Sequence, residues 1–429
     1  MNREKGSVKA APNRWFVFGI LTMSGGIAFK LSSIKDMFYV PMQEFMGLTN
    51  TQIGAALSVY GIVQTIGLIL GIYICDLFSK KYMIGGSLIC KGLVGFYLAT
   101  FPSYPGFLLC FGIFAFLGEV TYWPVLLKAI RLLGDEKTQG RMFGFLEMGR
   151  GVVDVIVASA ALAIFGALGE GAGALRTGIL FLACVTILAG VLCLIFVPND
   201  EKRLDADGRE VNKAKAAFSG MMQAIRSVDI WAVAINGFVV YCIYCGLTYF
   251  IPFLNNIYLL PATAVGAYGI INQYGLKMIG GPVGGLMSDK VHKSAAKHIR
   301  MGFLVCIVAM AAFMLIPHEQ LGQAGMWMVG AICTLLFGAI VFTMRAVFFA
   351  PMDEVKVPHE ITGAAMSLAS LVIYLPNTFA YVMYGNFLDR YPGMAGYRIV
   401  FSVMIAWAVV GLFVSTFLIH RIKLHRKNG

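Results

Sequence analysis

The chain has 429 residues and a formal net charge of +12, with 59% hydrophobic and only 13% charged residues. A soluble globular protein carries about 25% charged residues, so the apolar excess has to face lipid, which argues against a soluble two-domain enzyme. The placement of the basic residues argues equally against nucleic acid as their partner.

Twelve apolar segments, each of the length needed to cross a bilayer, about 17 to 25 residues, follow one another. They lie at 15–40, 52–76, 82–101, 105–132, 138–168, 174–197, 228–254, 262–287, 299–317, 324–350, 361–388 and 396–420. Backbone groups in lipid must be bonded internally, so these segments are read as helices. An outer-membrane barrel would show short alternating segments instead. The first segment has a basic start but no small-residue cleavage site, and it is read as retained. Cys242 and Cys245 form a CxxC without the histidines or second cysteine pair that a metal site needs.

Lys and Arg cluster on one side of this array: Arg3 to Arg14, Lys80 and Lys81, Lys128 to Lys137, Lys202 to Lys215, Lys290 to Arg300, and Arg421 to Lys427. The other side is nearly bare, with Arg176, Arg390 and Arg398 as exceptions. The positive-inside bias places both termini in the cytoplasm. The longest cytoplasmic connection, 198–226, separates a first unit, 1–197, from a second, 227–429. It begins polar ("PNDEKRLDADGREVNK") and continues as an amphipathic stretch ("AKAAFSGMMQAIRSV") that either lies along the membrane surface or forms a plain linker helix.

The two units repeat one another. Residues 51–81 can be laid on 263–294, both running from a Gly-Ala to an Asp followed by basic residues, and "TQGRMFGFLEMGRG" (138–151) answers "ITGAAMSLASLVIY" (361–374). Duplicated six-helix units around a linker are the pattern of secondary transporters, whose site lies between the halves near the midplane.

The segment Gly285-Leu286-Met287-Ser288-Asp289-Lys290-Val291-His292-Lys293 resembles the G-x-L-A-D-R-x-G-R-[RK] loop that follows the second helix of major facilitator transporters. His292 stands where glycine is usual. The first half holds a degenerate copy, with Asp76 and the pair Lys80-Lys81 in place and Gly71 displaced by one residue. Two such copies and twelve spans make the chain similar to the major facilitator superfamily over nearly its whole length. The resemblance implies an all-α membrane protein of twelve transmembrane helices in two pseudo-symmetric six-helix bundles, acting as a monomer. Residues 122–151 are similar to a bacterial inner-membrane branch that includes organic-anion and nitrate-type carriers. Asp76, Lys80, Lys81, Asp289, Lys290 and Lys293 are then expected to be gate residues, since an aspartate at a helix end pairs with basic groups only while that side is closed; the competing reading is that the aspartates merely cap helices. Arg345, toward the cytoplasmic end of the tenth span near Asp353 and Glu354, is expected to join them. Lys35 and Asp36 fall at the outer gate.

A charge at the bilayer centre costs about 2.5 to 3.5 kcal/mol even on a lenient scale, so those present face a cavity or a partner. Lys277 lies twelve residues before Asp289, roughly 18 Å of helix. Lys30, on the first span, and Glu119, on the fourth, reach similar depth. In the resembled fold these spans line the central cavity. Two readings stand for the lysines: a positive cavity for an anionic group, or pairing with Glu119 or the fifth-span acids in a structural network. Glu147, Arg150 and Asp154 share one helical face, where they form a self-neutralising network or take part in proton coupling beside Glu119. Lys91 is placed on a more peripheral helix, packing against a neighbour or snorkelling. Tyr60, Gln64, Tyr122, Trp123, Asn236, Tyr241, Tyr244, Asn272, Gln273, Tyr374 and Asn377 are candidates to complete the pocket.

These residues predict a secondary transporter moving a small organic anion, such as a carboxylate or sulfonate, across the bacterial inner membrane by proton symport and alternating access. No nucleotide-binding loop of the G-x-x-x-x-G-K-[ST] type is present, and no cofactor is expected. The competing readings are a proton-driven exporter of amphiphilic compounds and a non-transporting membrane receptor. The exporter calls for fewer buried cations, and the receptor for a signalling domain.

Overall fold

The computed structural model describes residues 13–77, 79–133, 139–198, 221–358 and 361–427. The side chain of Asp76, Lys137, and the linker before residue 221 fall outside the described residues. The described remainder of the linker, 221–226, is helical.

Among the described residues the chain is helical throughout, without strands. Eight stretches are unbroken enough and apolar enough by length and composition to cross a membrane. The remaining four of the twelve crossings read from the sequence are the helices Asn50–Leu77 and Lys80–Leu98 and the interrupted segments from Arg14 to Met46 and from Ala262 to Leu286. In chain order the helices are α1 Arg14–Ile27, α2 Lys35–Met46, α3 Asn50–Leu77, α4 Lys80–Leu98, α5 Tyr104–Ala115, α6 Trp123–Leu133, α7 Gln139–Ala167 and α8 Ala172–Phe196. Then follow α9 Val228–Gly246, α10 Phe250–Tyr258, α11 Ala262–Ile270, α12 Leu276–Leu286, α13 Ala295–Met314, α14 His318–Gln323, α15 Trp327–Val347, α16 Pro351–Glu354, α17 Thr362–Tyr374, α18 Ala380–Arg390 and α19 Met394–Lys427.

Five crossings that the sequence presents as continuous are broken near their middle. Turns at 28–34 separate α1 from α2, and a π-turn, Phe116–Val120, separates α5 from α6. A 3₁₀ turn, Leu247–Tyr249, lies between α9 and α10, a π-turn, Ile271–Gly275, between α11 and α12, and a 3₁₀ turn, Leu375–Thr378, between α17 and α18. Such breaks free backbone carbonyls, and at membrane depth these must be satisfied by the protein or by a water-filled cavity. The carbonyls of Gly25 and Ala28, at the end of α1, accept from Arg150 Nε at 3.2 Å and Lys91 Nζ at 2.7 Å. Of the two readings for Lys91, packing against a neighbour is the one observed: it is fully buried and closes the break in the first crossing.

Small residues let helices approach closely where no hydrophobic effect drives them together. A methyl on Gly85 of α4 would stand 2.9 Å from the Gly190 carbonyl of α8, and one on Gly92 would stand 2.8 Å from that of Ala183. The two bundles use the same device on each other. A methyl on Gly54 of α3 would lie 2.5 Å from the Tyr381 carbonyl of α18, and one on Gly266 of α11 would lie 2.5 Å from the Met37 carbonyl of α2. At that end Asp389 accepts from the Asn50 backbone N–H at 3.1 Å, the Asn50 side chain at 2.8 Å and the Thr51 N–H at 2.7 Å. It thereby caps the N-terminus of α3 from the opposite bundle. Thr263 donates to Glu170 across the same seam. Among the described residues, every hydrogen bond joining the bundles lies at this end or at middle depth. At the other end Asp289, Lys290 and Lys293 are exposed, and Asp289 forms no ion pair among the described residues.

Candidate substrate cavity

The breaks in the first, fourth, eighth and eleventh crossings bring polar side chains to one depth, around a cavity of about 240 Å³ between the bundles. Lys30 enters from the turn after α1. Its ammonium stands 2.7 Å from Asp154 Oδ1 on α7 and 3.4 Å from the centre of the Tyr274 ring. The Tyr274 hydroxyl donates to Asp36 Oδ2 at 3.1 Å, and Asp36 is itself paired with Lys35. Asp154, Lys30, Tyr274, Asp36 and Lys35 thus form a chain that crosses from one bundle to the other and back. Of the two readings for Lys30, the pairing with a fifth-span acid is the one its geometry displays.

Lys277 differs. It is exposed to the cavity, and among the described residues it forms no ion pair or hydrogen bond. Arg345 also lines the cavity. Its guanidinium lies over Tyr244 at 4.2 Å and Tyr241 at 5.5 Å, with no carboxylate at ion-pair distance among the described residues. The expected position near Asp353 and Glu354 is corrected here: Glu354 instead accepts from Ser294 at 2.6 Å and from the Ala295 and Ala296 N–H groups, capping α13. The helical twist of α15 turns Arg345 inward, and aromatic faces rather than a carboxylate receive it.

On the facing side, Tyr60 donates to Glu119 Oε1 at 2.7 Å. Asn377 donates to Gln64 Oε1 at 3.1 Å and lies 3.3 Å from the Tyr241 hydroxyl, joining the bundles at the cavity floor. Arg150 holds Glu147 at 2.7 Å, with its guanidinium 4.3 Å over the Trp123 ring. The cavity lining carries Lys30, Lys35, Arg150, Lys277 and Arg345 against Asp36, Glu119 and Asp154, an excess of positive charge.

Several expected pocket residues are not on its wall. Tyr122 is fully buried and hydrogen-bonded to Ser24 at 2.8 Å. Trp123 serves Arg150. Asn236 and Asn272 are buried away from the cavity, the latter 3.5 Å from the Leu247 carbonyl. Gln273 accepts from Tyr244 at 3.2 Å, and Tyr374 packs its ring 5.1 Å from that of Tyr241. Conversely, Tyr274 and Tyr381 do line the cavity. Their signal was present in the sequence: Tyr274 stands three residues before Lys277, and Tyr381 four after Asn377, each on the same helical face.

Two helical bundles sealed at one end over a central cavity of unmatched charge define a membrane carrier of the alternating-access type. Residues 15–381 match the Major Facilitator Superfamily, and the chain belongs to that family. It is 47% identical over 416 residues to the inner membrane protein YihN of Escherichia coli K12, covering 96% of this chain and 97% of that one. It is 30% identical over 389 residues to the inner membrane protein YqcE of the same organism, covering 90% of each. Among solved structures it is similar, with a TM-score of 0.73 and 16% identity, to a bacterial homologue of the human lysosomal transporter Spinster in an inward-facing, unoccupied conformation. That likeness covers 96% of this chain and 98% of the other.

Proposed function

We propose that the chain carries a small organic anion across the bacterial inner membrane by proton symport, as a monomer with both termini in the cytoplasm. The observation that carries this reading is the pair Lys277 and Arg345, two cations on the cavity wall that, among the described residues, have no carboxylate at ion-pair distance. Two such groups repel each other and an anion relieves this. A buried charge that has a partner, as Lys30 has, needs no ligand.

The units 1–197 and 227–429 rock about the cavity, with the segment 198–226 between them. Orientation by the basic residues makes the sealed Asn50–Asp389 end the outer one, so this is the inward-facing state, with the Asp289 gate released. The names of the E. coli relatives support the inner membrane. Glu119, held by a tyrosine hydroxyl and, among the described residues, by no ion pair, is the proton carrier, with Asp154 and Glu147 committed to Lys30 and Arg150.

The test is a thermal-shift screen of the purified protein against small carboxylates, sulfonates and neutral nucleosides, run beside Lys277→Gln and Arg345→Met. A ligand present at about a hundred times its Kd stabilises the folded state by ~2.7 kcal/mol. An anion that raises the melting temperature of the wild type but of neither variant is the expected result. Stabilisation by neutral compounds alone, or equally in all three proteins, would sink the anion reading.

A further inference from the structure

Beside the central cavity lies a larger one, about 870 Å³, between α7 and α12. The two share Arg150, Asp154, Tyr274 and Lys277. Toward the sealed end α7 is held against α11, which precedes α12 in the same crossing, with Leu162 against Gly266 and Thr263 against Gly166. Beyond the approach of Met278 to Gly151, α7 and α12 diverge toward the Asp289 end. The walls of the cleft are apolar and uncovered: Met148 is 56% exposed, Met278 44% and Ile279 56%. The cations stand at its inner end, and the one acid farther along the wall, Glu147, is paired with Arg150.

We propose that this cleft takes the apolar chain of an amphiphilic anion whose head group sits on Lys277. The inference rests on the anion reading and narrows it, from any small organic anion to one with a linear hydrocarbon tail. The unpaired Lys277 stands where the charged cavity meets the apolar cleft, so one ligand can satisfy both only with charge at one end and hydrocarbon at the other. The methionines that line the cleft suit such a tail, since unbranched, polarizable side chains adapt to chains of different length. From Lys277 to Val283 the wall runs about 9 Å along the helix, enough for several methylenes.

The test measures binding of ethane-, butane-, hexane- and octanesulfonate to the full-length protein in lipid nanodiscs. These probes stay ionised at every working pH, so only chain length varies. Gly144→Trp and Gly281→Trp are compared with the wild type: a Cβ at either position meets nothing within 4 Å, and neither residue lines the central cavity. In the wild type each methylene that enters the cleft tightens binding about fourfold, equivalent to ~0.8 kcal/mol. In both tryptophan variants that gain flattens while ethanesulfonate binds as before. The same chain-length gain in all three proteins reports partition into the bilayer and overturns the cleft. If ethanesulfonate binds and Lys277→Gln weakens it, yet longer chains add nothing, the anion reading stands and the tail is refuted. If the tail contributes but Lys277→Gln changes nothing, the head group does not sit on Lys277, and both proposals fall.

Discussion

Lys30 and Asp154 meet at 2.7 Å between the break after α1 and the middle of α7, with the lysine 1% exposed. The contact fixes the first crossing against the fifth at the depth where the substrate cavity lies. It also removes one cation from those available to a ligand.

Removing one member of a buried pair strands the other, at a cost of about 3–5 kcal/mol, whereas replacing both by apolar groups is often near neutral. Asp154→Asn and Lys30→Met are expected to lower the unfolding temperature in detergent sharply, and Lys30→Met with Asp154→Leu to recover most of the loss. A double variant no more stable than the worse single one would show that their attraction is not what holds these helices.

Glu119→Gln keeps the shape of the side chain and a partner for the Tyr60 hydroxyl, but it cannot carry a proton. In proteoliposomes a one-unit pH gradient, worth ~1.4 kcal/mol, supports up to tenfold accumulation per proton symported. The variant is expected to bind and exchange substrate while its accumulation falls to the equilibrium ratio. Full accumulation in Glu119→Gln would move the coupling to another group.

Asp389 caps α3 from the opposite bundle, so its loss weakens the sealed end without touching the cavity. Losing a helix cap costs about 0.5–2 kcal/mol. In Asp389→Ala that cost shifts the carrier toward opening at the Asn50 end. A cysteine at Ser33, on the cavity wall, should then react several-fold faster with an impermeant thiol reagent added from outside. An unchanged rate would mean that the close glycine contacts alone hold the seal.

His318 stands outside the membrane-spanning helices, buried, with Nδ1 at 2.6 Å from the Tyr258 hydroxyl and Nε2 at 2.7 Å from the Phe313 carbonyl. Burial lowers its pKa below the usual 6.5; Arg398 acts the same way, and the Phe313 carbonyl opposes both. Above the usual value neither the folded nor the unfolded chain is protonated there, and the residue has no effect on the pH dependence. Below it the unfolded chain takes the proton first, so stability falls as pH drops toward the lowered folded value, by at most ~1.4 kcal/mol per unit. The loss of melting temperature between about pH 7.5 and 5.5 is expected to be smaller in His318→Gln. Equal losses would place the acid sensitivity elsewhere.

The twelve crossings were legible because lipid demands long apolar runs with internally bonded backbone. Lys277 was legible for the same reason: a lysine at that depth is costly enough to announce a cavity. The breaks were not legible. Residues 116–120 and 271–275 carry Glu119, Asn272 and Gln273, but nothing in their composition marks a π-turn; in the fold the first lies against α3 and the second against α7. Asn236 and Asn272 went to the wrong side because depth along a helix fixes height in the membrane but not which way the face turns.

The sequence by itself determined the membrane class, the family and the mid-membrane depth of Lys30, Glu119 and Lys277, since all of these are one-dimensional properties of hydropathy, motif and spacing. Only the tertiary structure decided which charges are matched. Lys30 and Lys277 look alike in the chain, yet Lys30 meets Asp154 at ion-pair distance and Lys277 forms no ion pair among the described residues. Arg345 moved from gate to cavity because helix rotation set its surroundings. Pairing depends on contacts between residues far apart in the chain, and it is pairing that leaves a cation free for a ligand.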